Sequence, residues 1–395
     1  MVFDGKEVNK LIPYGRQSIS EEDIQAVVNV LRSDFLTQGP AVPKFEQRIC
    51  KYTCAKYAVA VNSGTSALHI ACLALGLGSG DWLWTTPITF VASANCGLYC
   101  GAQVDFVDID PVSWNLSVKK LKDKLVLAKL ENRLPKVLVA VHLCGLPCDM
   151  KEIRKLSTEY GFRVIEDAAH AIGGKYFGQP IGNCQYSDIT VFSFHPVKNI
   201  TTGEGGMALT NDQQLADKMA LLRSHGITRD PNMMTCKPDG PWYYQQVDLG
   251  FNYRMTDLQA ALGISQLERL DEFMSQRHMI AERYNEKLSR LPLQLPCSEE
   301  GKFSGLHLYV VRVKSNLSKN SHKLVFESLI EQGIHVNLHY IPVYNQPYYE
   351  DMGFQRGDYI EAESYYAEAI SLPMFPDLNA DDQDLVVSTI MSALA

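Results

Sequence analysis

The stretch that decides the fold is Ile189-Thr190-Val191-Phe192-Ser193-Phe194-His195-Pro196-Val197-Lys198, followed at once by Asn199-Ile200-Thr201-Thr202-Gly203-Glu204-Gly205-Gly206. A short apolar run rich in β-branched and aromatic residues, closed by a threonine- and glycine-rich turn, reads as a buried strand. A lysine leaves that strand flanked by Phe194, Pro196, Val197 and Ile200. Most lysines are solvated surface charges. An ammonium in apolar company loses hydration, which favours its neutral, nucleophilic form, the condition for a lysine that makes a Schiff base.

Runs of the same kind precede it at residues 58–61, 82–85, 103–107, 137–142 and 163–166, alternating with helical or loop segments. That rhythm, without hairpin turns, predicts an α/β fold with a mostly parallel sheet flanked by helices, whose ligands gather at the carboxyl ends of the strands. Ser20, followed by Glu21, Glu22 and Asp23, reads as the capping box of a first helix ending near Asp34. Thr256 is placed to cap a long helix running beyond Met279 towards Leu291. Beyond it, residues 306–313 and 335–340 read as strands, and 324–332, 359–370 and 381–394 as helices. The expected division is a large domain over residues 1–290, with the N-terminal segment and the interdomain helix, and a smaller C-terminal α/β domain over 291–395.

Composition narrows the function. The 395 residues are 46% hydrophobic with a net charge of −8, and the basic residues are scattered, which argues against a nucleic-acid partner. The ten cysteines form no regular framework and read as reduced thiols packed as small hydrophobes. His142-Leu143-Cys144-Gly145-Leu146-Pro147-Cys148 is a weak metal signature, so no metal is assigned. Met1-Val2-Phe3-Asp4-Gly5-Lys6-Glu7 lacks the apolar core of a signal peptide, and no apolar run is long enough for a bilayer, so a cytoplasmic protein is expected.

Strand-end sites supply what pyridoxal 5′-phosphate requires. Lys198 offers the amine, which can also move a proton between substrate and cofactor. Asp167, in Val164-Ile165-Glu166-Asp167-Ala168-Ala169-His170, is either a helix cap or the carboxylate that keeps the pyridine nitrogen protonated. Glu166 is then expected to face away and His170 to lie near the phenolic oxygen. Asn62-Ser63-Gly64-Thr65-Ser66 turns a strand into a helix start, an anion site in Gly64, Thr65 and Ser66, with Ser193 adding a hydroxyl. Phe90 is either a core residue or a ring stacked on the pyridine face.

In chain order, N-S-G-T-S-A-L (62–68), T-P-I-T-F-V-A-S (86–93), V-D-I-D (107–110), E-D-A-A-H-A-I-G-G (166–174), F-S-F-H-P-V-K (192–198), T-T-G-E-G-G (201–206) and F-N-Y-R-M-T-D (251–257) resemble the sugar-nucleotide aminotransferases of the DegT/DnrJ type. The resemblance extends from Leu36 to Pro373 and is strongest to the branch serving pseudaminic acid biosynthesis. It implies a fold type I, pyridoxal phosphate-dependent homodimer with shared active sites, Lys198 and Asp167 as catalytic residues, and Asn252 reaching the phosphate of the neighbouring subunit. It also implies sugar-nucleotide contacts from Tyr14, Asp34, Phe35, Leu36, Thr37, Ser66, Ser193, Asn252, His339, Tyr340, Ile341 and Pro342, with His307 and Arg229 as further candidates. The implied reaction moves the amino group of L-glutamate to carbon 4 of a UDP-linked 4-keto-6-deoxy-N-acetyl sugar. Amination of another nucleotide keto sugar, a sugar dehydratase and a non-catalytic cofactor-binding regulator are the alternatives; the dehydratases carry histidine where Lys198 stands.

Overall fold

The computed structural model describes residues 11–314 and 322–395; the signal-peptide reading at residues 1–7 lies outside them. Ser20 caps α1 (Glu21–Leu31) as expected: its hydroxyl accepts from the Asp23 N–H at 3.3 Å, and the Asp23 carboxylate accepts from the Ser20 N–H at 3.0 Å. After α2 (Ala41–Thr53) the chain builds a seven-stranded sheet from β1 (Tyr57–Val61), β2 (Trp82–Thr85), β3 (Gln103–Phe106), β4 (Val137–Val141), β5 (Arg163–Asp167), β8 (Ile189–Ser193) and β9 (Gly206–Thr210). A small hairpin, β6 (Lys175–Tyr176) and β7 (Gln179–Pro180), lies between β5 and β8. The order is β1-β9-β8-β5-β4-β2-β3, with β9 antiparallel to both neighbours and the other pairings parallel.

The physical basis shows in β4. Its Leu138 and Ala140 enter one core, while Val137, Val139 and Val141 enter the other. Successive side chains alternate across a strand, so a parallel sheet with helices on both faces needs apolar residues at every position. α5 (Val118–Leu130) and α6 (Met150–Tyr160) cover the first face; α3 (Gly64–Ala74), α4 (Ala92–Tyr99) and α7 (Gln213–Leu222) cover the second.

Several expectations are corrected. β9 was not foreseen, because its apolar part, Met207 to Leu209, is short and follows the glycine turn. A two-stranded ribbon, β10 (Ile227–Thr228) with β11 (Gln245–Gln246), also appears. The helix from Thr256 is two helices, α8 (Asp257–Glu268) and α9 (Leu270–Leu288), since Arg269 leaves helical dihedrals (φ −102°, ψ 2°) where its guanidinium turns to Asp23 and Ser18.

The C-terminal part holds a three-stranded antiparallel sheet, β12 (Leu293–Gln294), β14 (Tyr309–Val313) and β15 (Ala369–Leu372), whereas β13 (Lys302–Phe303) returns to pair with β6. With it stand α10 (His322–Glu331), α11 (Pro347–Glu350), α12 (Ile360–Glu368) and α13 (Ala380–Leu394). Residues 369–370, expected to be helical, belong to β15. Residues 335–340 are not a strand: a single bridge joins Asn337 to Ser371, and polar His335, Asn337 and His339 alternate without a second strand to pair with. Ile12 bridges Ile334 and is buried in this C-terminal core beside Leu329 and Ile370.

Candidate active site

A cavity of about 1000 Å³ opens at the carboxyl ends of the central strands, on the face covered by α3 and α4. Asp167 ends β5, Ser193 ends β8, and Val141 and Val191 line the floor. Alternation sends Glu166 to the opposite face, where His142 lies 2.8 Å away, as the sequence predicts.

Lys198 is brought back over the strand end by a tight turn in which its N–H donates to the His195 carbonyl at 2.9 Å. The next residue, Asn199, is buried and donates through Nδ2 to the carbonyls of Ile172 (3.0 Å) and Gly305 (2.6 Å), which pins the turn. Part of the lysine is open to the cavity, but protein packs around its amine. Burial lowers the Lys198 pKa from the ordinary lysine value to about 8, against the opposing pull of Asp167. About a tenth of the amine is then neutral at pH 7, far more than for an exposed lysine.

Asp167 is buried, and both its oxygens are engaged: Oδ1 accepts from the Ala169 N–H at 3.1 Å and Oδ2 from the Ser93 hydroxyl at 2.7 Å. Ser63 caps α3, its hydroxyl accepting from the Ser66 N–H at 3.1 Å, while the Ser66 hydroxyl donates to Asn62 at 2.7 Å. The N–H groups of Gly64 and Thr65 have no intrahelical acceptor and mark a site for an anion. A Cβ at Gly64 would stand 3.0 Å from the Ser193 Cβ, so glycine permits the close approach that adds the Ser193 hydroxyl to this cradle.

The opposite wall comes from distant sequence. Tyr14, Asn337, Leu338, His339, Tyr340 and His307 line it. The His170 Nε2 and the Tyr340 hydroxyl are 3.1 Å apart, and His339 Nδ1 is 2.8 Å from the Ser371 hydroxyl. Burial, reinforced by the charge of Lys198, holds His170, His307 and His339 below the ordinary histidine value, His339 at about 4. These rings are therefore neutral; those of His170 and His339 are hydrogen-bonded, while Nδ1 of His307 is buried without a partner among the described residues.

Of the residues singled out from sequence, Tyr14, Gly64, Thr65, Ser66, Phe90, Asp167, His170, Ser193, Lys198, His307, His339 and Tyr340 meet at this cavity. Asp34, Phe35, Leu36, Thr37, Arg229, Asn252, Ile341 and Pro342 do not line it. Pro342 is buried; the others are exposed. Phe90 is not a core residue: its ring is 57% exposed within the cavity. Sequence reading missed Ser93, Thr89, Glu204, Gln259 and Asn337. A signal existed for the first two, which sit one helical turn apart in the quoted T-P-I-T-F-V-A-S segment.

The groups present fit pyridoxal 5′-phosphate: a desolvated amine, a fixed carboxylate, an anion cradle, and a large apolar ring that a flat aromatic ligand would cover. A mixed α/β sheet carrying these groups at its strand ends is the make-up of a fold type I pyridoxal phosphate enzyme. The chain belongs to the DegT/DnrJ/EryC1/StrS aminotransferase family, whose model matches residues 17–391, and it is a pyridoxal phosphate-dependent aminotransferase. It is 38% identical over 385 residues to the spore coat polysaccharide biosynthesis protein SpsC of Bacillus subtilis, covering 97% of both chains. It is 36% identical to the UDP-4-amino-4,6-dideoxy-N-acetyl-beta-L-altrosamine transaminase of Campylobacter jejuni, covering 97% of this chain and 98% of that one. Helicobacter pylori PseC, an aminotransferase involved in the biosynthesis of pseudoaminic acid, superimposes with a TM-score of 0.88 at 31% identity, over 98% of this chain and 99% of that one. Among the described residues, no helix is long and apolar enough to cross a membrane.

Proposed function

We propose that this aminotransferase moves the amino group of L-glutamate to carbon 4 of UDP-2-acetamido-2,6-dideoxy-β-L-arabino-hexos-4-ulose. The products are UDP-4-amino-4,6-dideoxy-N-acetyl-β-L-altrosamine and 2-oxoglutarate, a step of pseudaminic acid biosynthesis. The observation that carries the reaction class is the desolvated Lys198 amine beside Asp167 in a cavity large enough for a sugar. The sugar rests on the relatives' names.

Bound pyridoxal phosphate supplies the electron sink that lets the carbon–hydrogen bond beside the amino nitrogen break. Lys198 Nζ takes that proton and returns it on the other side, a role for which a pKa near the working pH is suited. In the bound state the Asp167 carboxylate would accept from the protonated ring nitrogen, Gly64, Thr65, Ser66 and Ser193 would hold the phosphate, Phe90 would limit the ring's tilt, and His170 would serve the phenolic oxygen. Tyr14, His339 and Tyr340 orient the sugar, with Ser66 and Ser193 at its margins.

The reading includes a homodimer, with a large domain over 1–290 and a small one over 291–395. Asn252 and the turn at Asp34, Phe35, Leu36 and Thr37 serve the second copy's site. Supporting this, Phe35 is 53% and Leu36 48% exposed, an apolar turn suited to cover by another chain. The test is to supply the holoenzyme with glutamate and a panel of UDP- and dTDP-linked keto sugars and to identify the product by NMR. Amination at carbon 4 of the L-sugar is expected; exclusive amination of a D-configured or 3-keto sugar replaces the substrate, and retention of the cofactor spectrum with glutamate alone overturns the transaminase.

A further inference from the structure

Thr89 lies between β2 and α4 and Ser93 in the first turn of α4, and both are almost wholly buried. The Ser93 hydroxyl stands 2.7 Å from Asp167 Oδ2 and 2.8 Å from the Thr89 hydroxyl. An ionised carboxylate can only accept, so the single Ser93 proton points to Asp167, and Ser93 in turn accepts from Thr89. Two buried hydroxyls thus form a directed chain, Thr89 to Ser93 to Asp167.

A serine at a helix start usually satisfies itself locally, by capping or by bonding back to the preceding turn. Ser93 instead reaches from one strand–helix connection to the end of another strand. With the Ala169 N–H on Oδ1, each carboxylate oxygen has a donor fixed by the fold, and the plane of the carboxylate is set before any ligand arrives. Phe90, on the same short segment, presents its ring to the cavity. One stretch of chain therefore governs both a face of the cofactor ring and the group at its nitrogen.

We propose that Ser93, backed by Thr89, is a positioning residue that aims the Asp167 carboxylate at the ring nitrogen and, by drawing charge from Oδ2, sets how strongly that carboxylate holds the ring proton. The inference rests on the assignment of Asp167 to the ring nitrogen. Donation to a carboxylate weakens it as an acceptor for anything else, so removing the donor alters the cofactor's electronics as well as its position.

The test uses holoenzymes of Ser93→Ala, Ser93→Thr, Thr89→Val and Asp167→Ala and follows the pH midpoint of the cofactor's visible absorbance. Ser93→Ala is expected to move that midpoint by at least about half a pH unit. It is also expected to lower kcat about tenfold in both half-reactions, with KM for glutamate and for the keto sugar within about twofold. Ser93→Thr, which keeps the hydroxyl, restores the midpoint, and Thr89→Val moves it less in the same direction. Should Ser93→Ala not hold the fold, Thr89→Val alone must still show the shift. A midpoint unchanged in Ser93→Ala and Thr89→Val, but displaced in Asp167→Ala, overturns this inference and leaves Asp167 in its place. A midpoint and spectrum unmoved even in Asp167→Ala overturn the assignment of Asp167 and this inference with it.

Discussion

The wall of the cavity formed by strand ends and the wall formed by residues 337–340 hold their side chains by different means. Asp167 and Ser193 close strands whose ladder hydrogen bonds run through the sheet centre, and Gly64 to Ser66 open a capped helix. Across the cavity, the irregular segment carrying His339 and Tyr340 is tied by one backbone bridge between Asn337 and Ser371 and by side chains. Tyr365 donates to the His339 carbonyl at 2.8 Å, and the Tyr340 hydroxyl pairs with His170. Groups proposed to act in every turnover sit on the regular wall; the wall proposed to recognise the sugar is held by contacts that other side chains can re-make. Substitutions on the first wall are therefore expected to damage both half-reactions, and those on the second only the half-reaction with the sugar.

The largest effect is expected from Lys198→Ala. Loss of the amine proposed to transfer the proton should lower both half-reactions by at least about 10²- to 10⁴-fold, and borohydride should no longer fix the cofactor to the peptide carrying residue 198. A label on another lysine would break the assignment of this wall.

Tyr340→Phe sharpens the contrast. Removing its hydroxyl, and with it the partner of His170 Nε2, should raise KM for the keto sugar about tenfold while the glutamate half-reaction stays within about twofold. Equal damage to both half-reactions in stopped-flow traces would merge the two walls into one functional unit.

A smaller effect concerns pH and the cofactor-free protein. The folded pKa of Lys198 lies below its unfolded value, so the cost of burying the ammonium is fully present below about pH 8 and fades as the pH rises towards the ordinary lysine range. Lys198→Met should therefore be more stable than the parent below pH 8, with the difference narrowing above it. Denaturant midpoints across that window check the sign.

The smallest effect lies outside both walls. Ser20→Ala removes the α1 cap and should cost about 1 kcal/mol of stability with unchanged kinetics.

Much of the first wall was legible because a strand ending in a functional residue leaves a local signature. Ile189 to Lys198 and Val164 to His170 each read as an apolar run followed by a polar group, and the Ser20 and Thr256 caps are equally local. β9 and the break at Arg269 were not legible, since one depends on a neighbouring strand and the other on where a guanidinium finds Asp23 and Ser18. Residues 335–340 misled for the converse reason: an alternating pattern is a strand only where another strand can pair with it. Ser93 escaped notice because its partner is in another βα unit.

By itself the sequence determined the alternation of strands and helices, the placing of Asp167 at a strand end and of Lys198 in the turn beyond one, and the capped start of α3, because these depend on periodicity and turn chemistry within a few residues. Only the tertiary structure decided that Phe90 is exposed in the cavity rather than packed in the core, that Tyr14 reaches the site through the pairing of Ile12 with Ile334, and that Ser93 meets Asp167. Each of those depends on which distant segments share a sheet face, and the global packing fixes that where no local pattern can.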